Sequence, residues 1–163
     1  MQEIKNGRIK IVPFDENRVG PGSIDLTLGS RFRVFERQNG ICKVTEDTDF
    51  QKITKELEIT CDRPLLLRPG ETVLGATREK VVLTPNLCGW IEGRSRFARI
   101  GLGVHVSAGF IQPGTANRQV LEITNLGPTP LALIPGVKIC QIVIERCEGR
   151  AVYNGRFKNQ NKP

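Results

Sequence analysis

The sequence predicts an all-β fold, a barrel or a sandwich, from three observations. Short runs alternate apolar and polar residues with a period of two, turn-forming pairs punctuate the chain at short intervals, and helical signals are few. The chain's 17 glycines and 10 prolines gather at Gly20-Pro21-Gly22, Asn39-Gly40, Pro69-Gly70, Pro113-Gly114, Gly127-Pro128, Pro135-Gly136 and Asn154-Gly155. Glycine supplies backbone angles closed to other residues and proline fixes its own, so such pairs end strands and turn the chain. No internal repeat and no linker divides the 163 residues, which predicts one domain over 1–163.

Taken in order, Met1 to Asn6 reads as a short helix stopped by Gly7. Ile24, Leu26 and Leu28 alternate with Asp25 and Thr27, and Leu57 and Ile59 alternate with Glu56 and Glu58. Each pattern puts one face of a strand in the core. Ser95 to Ile100, opened by Ser95 and closed by Gly101, reads as one or two helical turns. Leu121 and Ile123 take the opposite parity from Val120, Glu122 and Thr124 in a strand from Gln119 to Asn125. Cys140, Ile142 and Ile144 alternate in the same way with Gln141, Val143 and Glu145. From Asn154 to Pro163 the chain is polar and basic with no alternation, which predicts a mobile tail unless a ligand orders it.

Composition narrows the function classes. With 39% hydrophobic and 25% charged residues the chain can build a packed core. No apolar run approaches the roughly 18–20 residues of a membrane span, and the first residues lack the apolar stretch of a signal peptide. A soluble protein of the cytoplasm, with no membrane partner, is expected. The five cysteines are scattered without a C-x-x-C pair, and His105 is the only histidine. Reduced thiols are expected, and no zinc site; the H-x-E and P-C-x-x-C signature of zinc deaminases is absent. The 24 Lys and Arg against 17 Asp and Glu give a net charge of +7, which draws anions. Aromatic residues are only 6%, thin for a base-stacking platform, so a localised phosphate site is favoured over a nucleic-acid surface.

Two places could carry chemistry. Gly93-Arg94-Ser95-Arg96-Phe97-Ala98-Arg99 sets three arginines and a serine at a helix start, where guanidinium forks and backbone N–H groups suit a phosphate chain. The same residues serve equally as a solvated basic turn. Glu122 lies on the polar side of its strand; it is an ordinary solvated carboxylate or, if that side lines a cleft, a general acid and base. Spacing alone does not decide either case.

The segments Gly93-Arg94-Ser95-Arg96-Phe97-Ala98-Arg99-Ile100-Gly101-Leu102, Val104-His105-Val106, Ala108-Gly109-Phe110-Ile111-Gln112-Pro113-Gly114 and Val120-Leu121-Glu122 together resemble the dCTP deaminase family. That family reads roughly GRSSLAR-x-GL-x-VH…AG-x-IDPG…TLE. Ser23-Ile24-Asp25-Leu26-Thr27-Leu28-Gly29 resembles its SxDLRLG strand, and Tyr153-Asn154-Gly155-Arg156-Phe157-Lys158-Asn159-Gln160 resembles Y-x-G-K-Y-x-x-Q. The likeness runs in order over nearly the whole chain, starting a few residues short of the family's N-terminal helix.

The resemblance implies a distorted β-barrel of the dUTPase-like superfamily, assembled as a homotrimer with sites between subunits. It implies hydrolytic deamination of dCTP to dUTP and ammonia without zinc, with Mg2+ carried by the substrate triphosphate. Glu122 matches the catalytic glutamate, Ser95 the serine that holds the water, and Arg99 an arginine that stabilises the site. Arg94, with Arg96, Phe97 and Ala98, falls in the phosphate-binding turn, and Val120 and Leu121 meet the nucleotide through backbone groups. Tyr153, just before the tail 154–163, and Arg156 and Gln160 within it match positions that close over the nucleotide. His105 and Val106 lie where the family responds to dTTP as a feedback inhibitor.

Three departures stand out: Gln112 replaces the Asp of IDPG, Arg96 replaces a serine, and Thr115-Ala116-Asn117-Arg118 replaces an aromatic and glycine segment. An amide cannot act as a base, so Gln112 argues against triphosphate cleavage. The alternatives are a dUTPase or a bifunctional deaminase–diphosphatase, or a non-catalytic nucleotide-binding protein on the same fold.

Overall fold

Three of the alternating runs become strands that reach further than the alternation shows. The fourth, at Leu57 and Ile59, becomes a strand that ends at Glu58 and leaves Leu57 exposed rather than in the core. The computed structural model describes residues 1–163. In chain order the elements are α1 (Gln2–Lys5), β1 (Ile9–Val12), β2 (Ile24–Phe35), β3 (Thr54–Glu58), β4 (Leu65–Leu67), β5 (Thr72–Leu83), β6 (Leu87–Gly93) and α2 (Ser95–Ala98). After them come β7 (Leu102–Val104), β8 (Phe110–Ile111), β9 (Ala116–Asn125), β10 (Leu131–Leu133) and β11 (Lys138–Arg146), with 3-10 turns at Glu16–Arg18 and Phe50–Ile53. No helix is long and apolar enough to cross a membrane.

Nine strands form one sheet in the order β7-β9-β5-β2-β11-β6-β8, with β1 added to β5 and β3 to β2; β4 and β10 form a separate pair. The two 12-residue strands change partners along their length. β2 pairs β11 through Ile24–Thr27 and then β3 through Arg31–Phe35, while β5 lies along its other edge. Register shifts between Leu28 and Phe32, and again between Ala76 and Lys80, where β5 meets β9. Such irregularities bend strands and increase their twist, which curls the sheet into part of a barrel. Leu26, Leu28, Phe32, Val81, Leu121, Ile123 and Ile142 fill the inside, each at most 1% exposed.

One polar group lies deep in the packing. The Glu79 carboxylate, 0% exposed, accepts from the Thr27 N–H at 2.8 Å and from Arg18 Nη1 at 2.5 Å. Arg18 Nη1 also donates to the Thr27 hydroxyl, and Arg18 Nε donates to Asp15 at 3.1 Å. Arg18 therefore anchors the 3-10 turn to β2 and β5 through a buried charge.

Two features of the sheet position the site. β7 pairs with β9 only at Ile123, Thr124 and Asn125, so from Ala116 to Glu122 the second edge of β9 has no strand beside it. An open edge leaves backbone N–H and C=O groups free to bind something else. The second feature is α2, the predicted turn after Gly93, with Arg94 rather than Ser95 at its cap. Phe97 and Ala98 N–H both donate to the Arg94 carbonyl, which places Ser95 as the first helical residue. The turn that follows the helix ends at Gly101, whose φ of +83° suits glycine and whose bare Cα packs on Gly127.

Candidate active site

A cavity of about 820 Å3 opens along the free edge of β9. Val120 and Glu122 line it from the strand, Ala108, Phe110, Ile111 and Gln112 from β8 and its flanks, Phe50 and Gln51 from the 3-10 turn, and Tyr153, Arg156 and Gln160 from the tail.

Glu122 lies beside Leu74 of β5, and Leu74 beside Arg33 of β2, so the three side chains share one row across the sheet. The Glu122 carboxylate is half-buried, and its Oε2 accepts two bonds from one residue, Ser107 N–H at 2.7 Å and Ser107 Oγ at 2.9 Å. These donors fix the plane of the carboxylate while Oε1 bonds to no protein group. A carboxylate aimed in this way into a cavity can take a proton from a bound water and return it nearby. The Ser107 loop begins at His105, whose φ of 53° lies in the left-handed region that non-glycine residues rarely adopt. Its ring packs on Gly109, where a Cβ would clash, and its Nδ1 is buried without a partner.

Gln112 is exposed at the turn that closes β8, and its side chain lines the cavity. Val120 also lines it, whereas the Leu121 side chain is 0% exposed and belongs to the core. The tail crosses the cavity as turns rather than as a strand or helix. Tyr153 N–H donates to the Pro113 carbonyl at 2.9 Å. Arg156 Nη1 donates to the Thr48 carbonyl at 3.2 Å, and the Phe157 ring lies 6.4 Å from that of Phe50. Lys162 Nζ meets Glu56 at 2.8 Å, and this ammonium, with Arg33 behind it, holds the Glu56 carboxyl below its ordinary range.

Gln112, Val120, Glu122, Tyr153, Arg156 and Gln160 therefore come together around one cavity. Arg94, Ser95, Arg96, Phe97, Ala98 and Arg99 do not line it. Arg94 pairs with Asp25 at 3.1 Å and donates to the Lys138 carbonyl at 2.9 Å, which fixes the start of α2 to the β2–β11 pair. Phe97 packs against the core, while Ser95, Arg96, Ala98 and Arg99 face outward. No three His, Cys, Asp or Glu side chains converge where they could hold a metal ion.

Sequence reasoning missed Ser107, Phe50, Gln51, Asn117, Gln119, Arg31 and Lys162. Ser107 sits between two of the motif segments, but a serine beside a strand carries no spacing signal. Arg31 was readable only as one more surface charge. Phe50 and Gln51 lie far from Glu122 in sequence and reach the cavity through the pairing of β3 with β2.

Comparisons with known proteins identify the family and the fold. A family profile described as dCTP deaminase-like matches residues 1–147. A "dCTP deaminase, dUMP-forming" of Streptomyces coelicolor is 41% identical over 170 residues, covering 99% of this chain and 87% of that protein. One of the same description from Parafrankia sp. is 39% identical, covering 99% of this chain and 83% of the relative. Among solved structures, the 2'-deoxycytidine 5'-triphosphate deaminase of Agrobacterium tumefaciens has a TM-score of 0.67 at 19% identity. That likeness covers 90% of this chain, which spans just under half (46%) of the solved one. A mutant dUTPase from phage phi11 of S. aureus shares the fold at a TM-score of 0.54 and 13% identity, over 91% of this chain and 96% of that one. The profile match over residues 1–147 and the near-full-length identity to these relatives show that the chain belongs to the dCTP deaminase-like family.

Proposed function

We propose that the protein deaminates dCTP hydrolytically, releasing ammonia, with Glu122 as the group that moves protons. The observation that carries this reading is the single cavity in which Glu122, oriented by Ser107, faces the open β9 edge beside Gln112 and the tail residues Tyr153, Arg156 and Gln160. The relatives' descriptions support the same substrate. Water adds to cytosine C4 as Glu122 takes its proton; that proton passes to N3, and a further transfer lets the C4–N bond break with ammonia leaving. One water is consumed for each ammonia released, and a uracil ring remains. Val120 would read the base through the backbone of the open edge, and Arg156 would meet the phosphates. The chain's own acid–base groups supply the proton transfers without a zinc ion, and Mg2+ enters with the triphosphate. Ser95 and Arg99 reach this cavity from a neighbouring copy in a homotrimer, since within one chain α2 does not line it. The dTTP response would act through the strained His105–Val106 loop that carries Ser107.

The product is proposed to be dUTP, although the relatives are described as dUMP-forming. Gln112 is the reason: Glu122 is the only side-chain carboxylate lining the cavity, and an amide at 112 cannot take a proton from a second water. A bifunctional enzyme is the second reading, favoured by those descriptions. Ammonia and pyrophosphate measured separately on dCTP with Mg2+ decide between them. Ammonia without pyrophosphate is expected, and Glu122→Gln should abolish it; equal ammonia from that variant overturns the role of Glu122. Gln112→Asp is expected to keep deamination, to shift dCTP affinity by roughly tenfold to a hundredfold, and to admit a trace of pyrophosphate release. If affinity, sugar preference and products all stay unchanged, Gln112 does not face the nucleotide.

A further inference from the structure

The tail is bound to the mouth of the cavity by the chain's own groups, and the central ones lie in the segment that departs from the family pattern. Asn117 is buried, 4% exposed, with both ends of its amide used. Its Oδ1 accepts from Gln119 Nε2 at 2.8 Å, and its Nδ2 donates to the Phe157 carbonyl at 3.0 Å. One residue along, the Arg118 N–H donates to the Gln160 carbonyl at 3.3 Å, and Gln160 Nε2 returns a bond to the Arg118 carbonyl at 3.2 Å. The tail thus takes the open edge of β9 at 118 as a short added strand would, and leaves the edge free at Val120 and Glu122.

We propose that Asn117 and the Arg118 backbone form a dock that holds residues 156–160 over the cavity before nucleotide binds. This makes Asn117 a positioning residue for Arg156 and Gln160, and it rests on reading the cavity as the nucleotide site. The buried amide is the key part. Fixed by Gln119 on one side, its N–H cannot turn away from the Phe157 carbonyl without leaving a polar group unpaired. A tail already docked loses little further freedom when nucleotide arrives, so less of the binding energy goes to ordering it.

Trypsin cleavage after Arg156 and Lys158 reads the dock directly. The Asn117→Asp variant is the informative partner: aspartate can still accept from Gln119 but cannot donate to the Phe157 carbonyl. The parent protein without nucleotide is expected to resist cleavage, and the variant to be cut roughly five- to tenfold faster, the scale of one lost hydrogen bond. The KM for dCTP should rise by a similar factor with kcat held, a split that general loss of structure would not give. A parent tail cut as fast as the variant's, or protected only after dCTP is added, overturns the dock; this arm needs no variant to fold. Faster cleavage with an unchanged KM leaves the dock but overturns the positioning role. A protected tail in a parent that releases no ammonia from dCTP keeps the dock and sinks the nucleotide reading instead.

Discussion

Burial and neighbours sort the five cysteines into three groups with different chemistry. Cys42 and Cys61 are exposed, Cys147 is half-buried, and Cys88 and Cys140 are buried. Burial, with Cys147 next to it, pushes the Cys88 thiol up to about 11. Burial raises Cys140 further, with the carboxylates of Glu79 and Asp25 adding to the effect. The thiolate is the reactive form, so both are inert near neutral pH. Iodoacetamide at pH 8 is expected to label Cys42 and Cys61 first, Cys147 more slowly, and Cys88 and Cys140 only after denaturation. Peptide mass spectrometry checks the order, and early labelling of Cys140 would contradict the packing of β11. At this scale the sequence was legible where a residue type names its own chemistry. Glu122 and Gln112 stood out through the family pattern, which sets a glutamate at the first position and an aspartate, not an amide, at the second. Ser107 and Asn117 did not, since their roles come from partners 15 and 40 residues away.

Elements were legible where one face meets the core and the other meets water. β9 and β11 alternate in polarity and were found. β5 was not, because its inward positions include Gly75, Thr77 and Glu79 while Leu74 and Val82 take the other parity, so its burial alternates but its polarity does not. Its Glu79 shows what such a strand needs. Arg18 is the cation for that buried carboxylate, so Arg18→Ala leaves a charge uncompensated, a change that typically costs about 3–5 kcal/mol. A denaturant midpoint within error of the parent would show that Glu79 finds another partner. The tail element carries a pH prediction. Lys162 and then Arg33 lower the Glu56 pKa, so the charged form is favoured in the folded chain. The tie is complete above the ordinary glutamate value of about 4.3 and is lost as pH falls through the lowered value. Hydrogen exchange over residues 156–163, corrected for intrinsic rates, should be flat from about pH 5 to 8 and lose protection below about pH 4. In Glu56→Gln the acid step should shrink; an identical acid step would assign it to another carboxylate.

At the scale of the whole molecule, the fold separates what the motifs place together. The Arg-rich turn and the Glu122 strand lie close in sequence, yet α2 lines no part of its own chain's cavity. Beside α2 lie Ile100 and Leu126, 53% and 72% exposed, with the Leu126 N–H on the Gly101 carbonyl; this apolar surface suits a second copy. A site shared between copies makes a prediction that no single-chain site can meet. Arg99→Ala removes the group offered by α2, and Glu122→Gln removes the proton carrier, so each variant alone should be close to inactive. When the two chains are co-expressed in equal amounts, a given site needs its α2 from a Glu122→Gln chain and its carboxylate from an Arg99→Ala chain. Random mixing satisfies both for about one quarter of the sites in a closed ring of identical contacts. Ammonia release from dCTP should therefore recover to about a quarter of the parental rate per site, whichever cyclic assembly forms. Mixing the purified variants without exchange of subunits should restore nothing. If co-expression also stays at the level of the single variants while mixed assemblies are isolated by two different affinity tags, Arg99 and Glu122 do not serve one shared site, and α2 acts elsewhere.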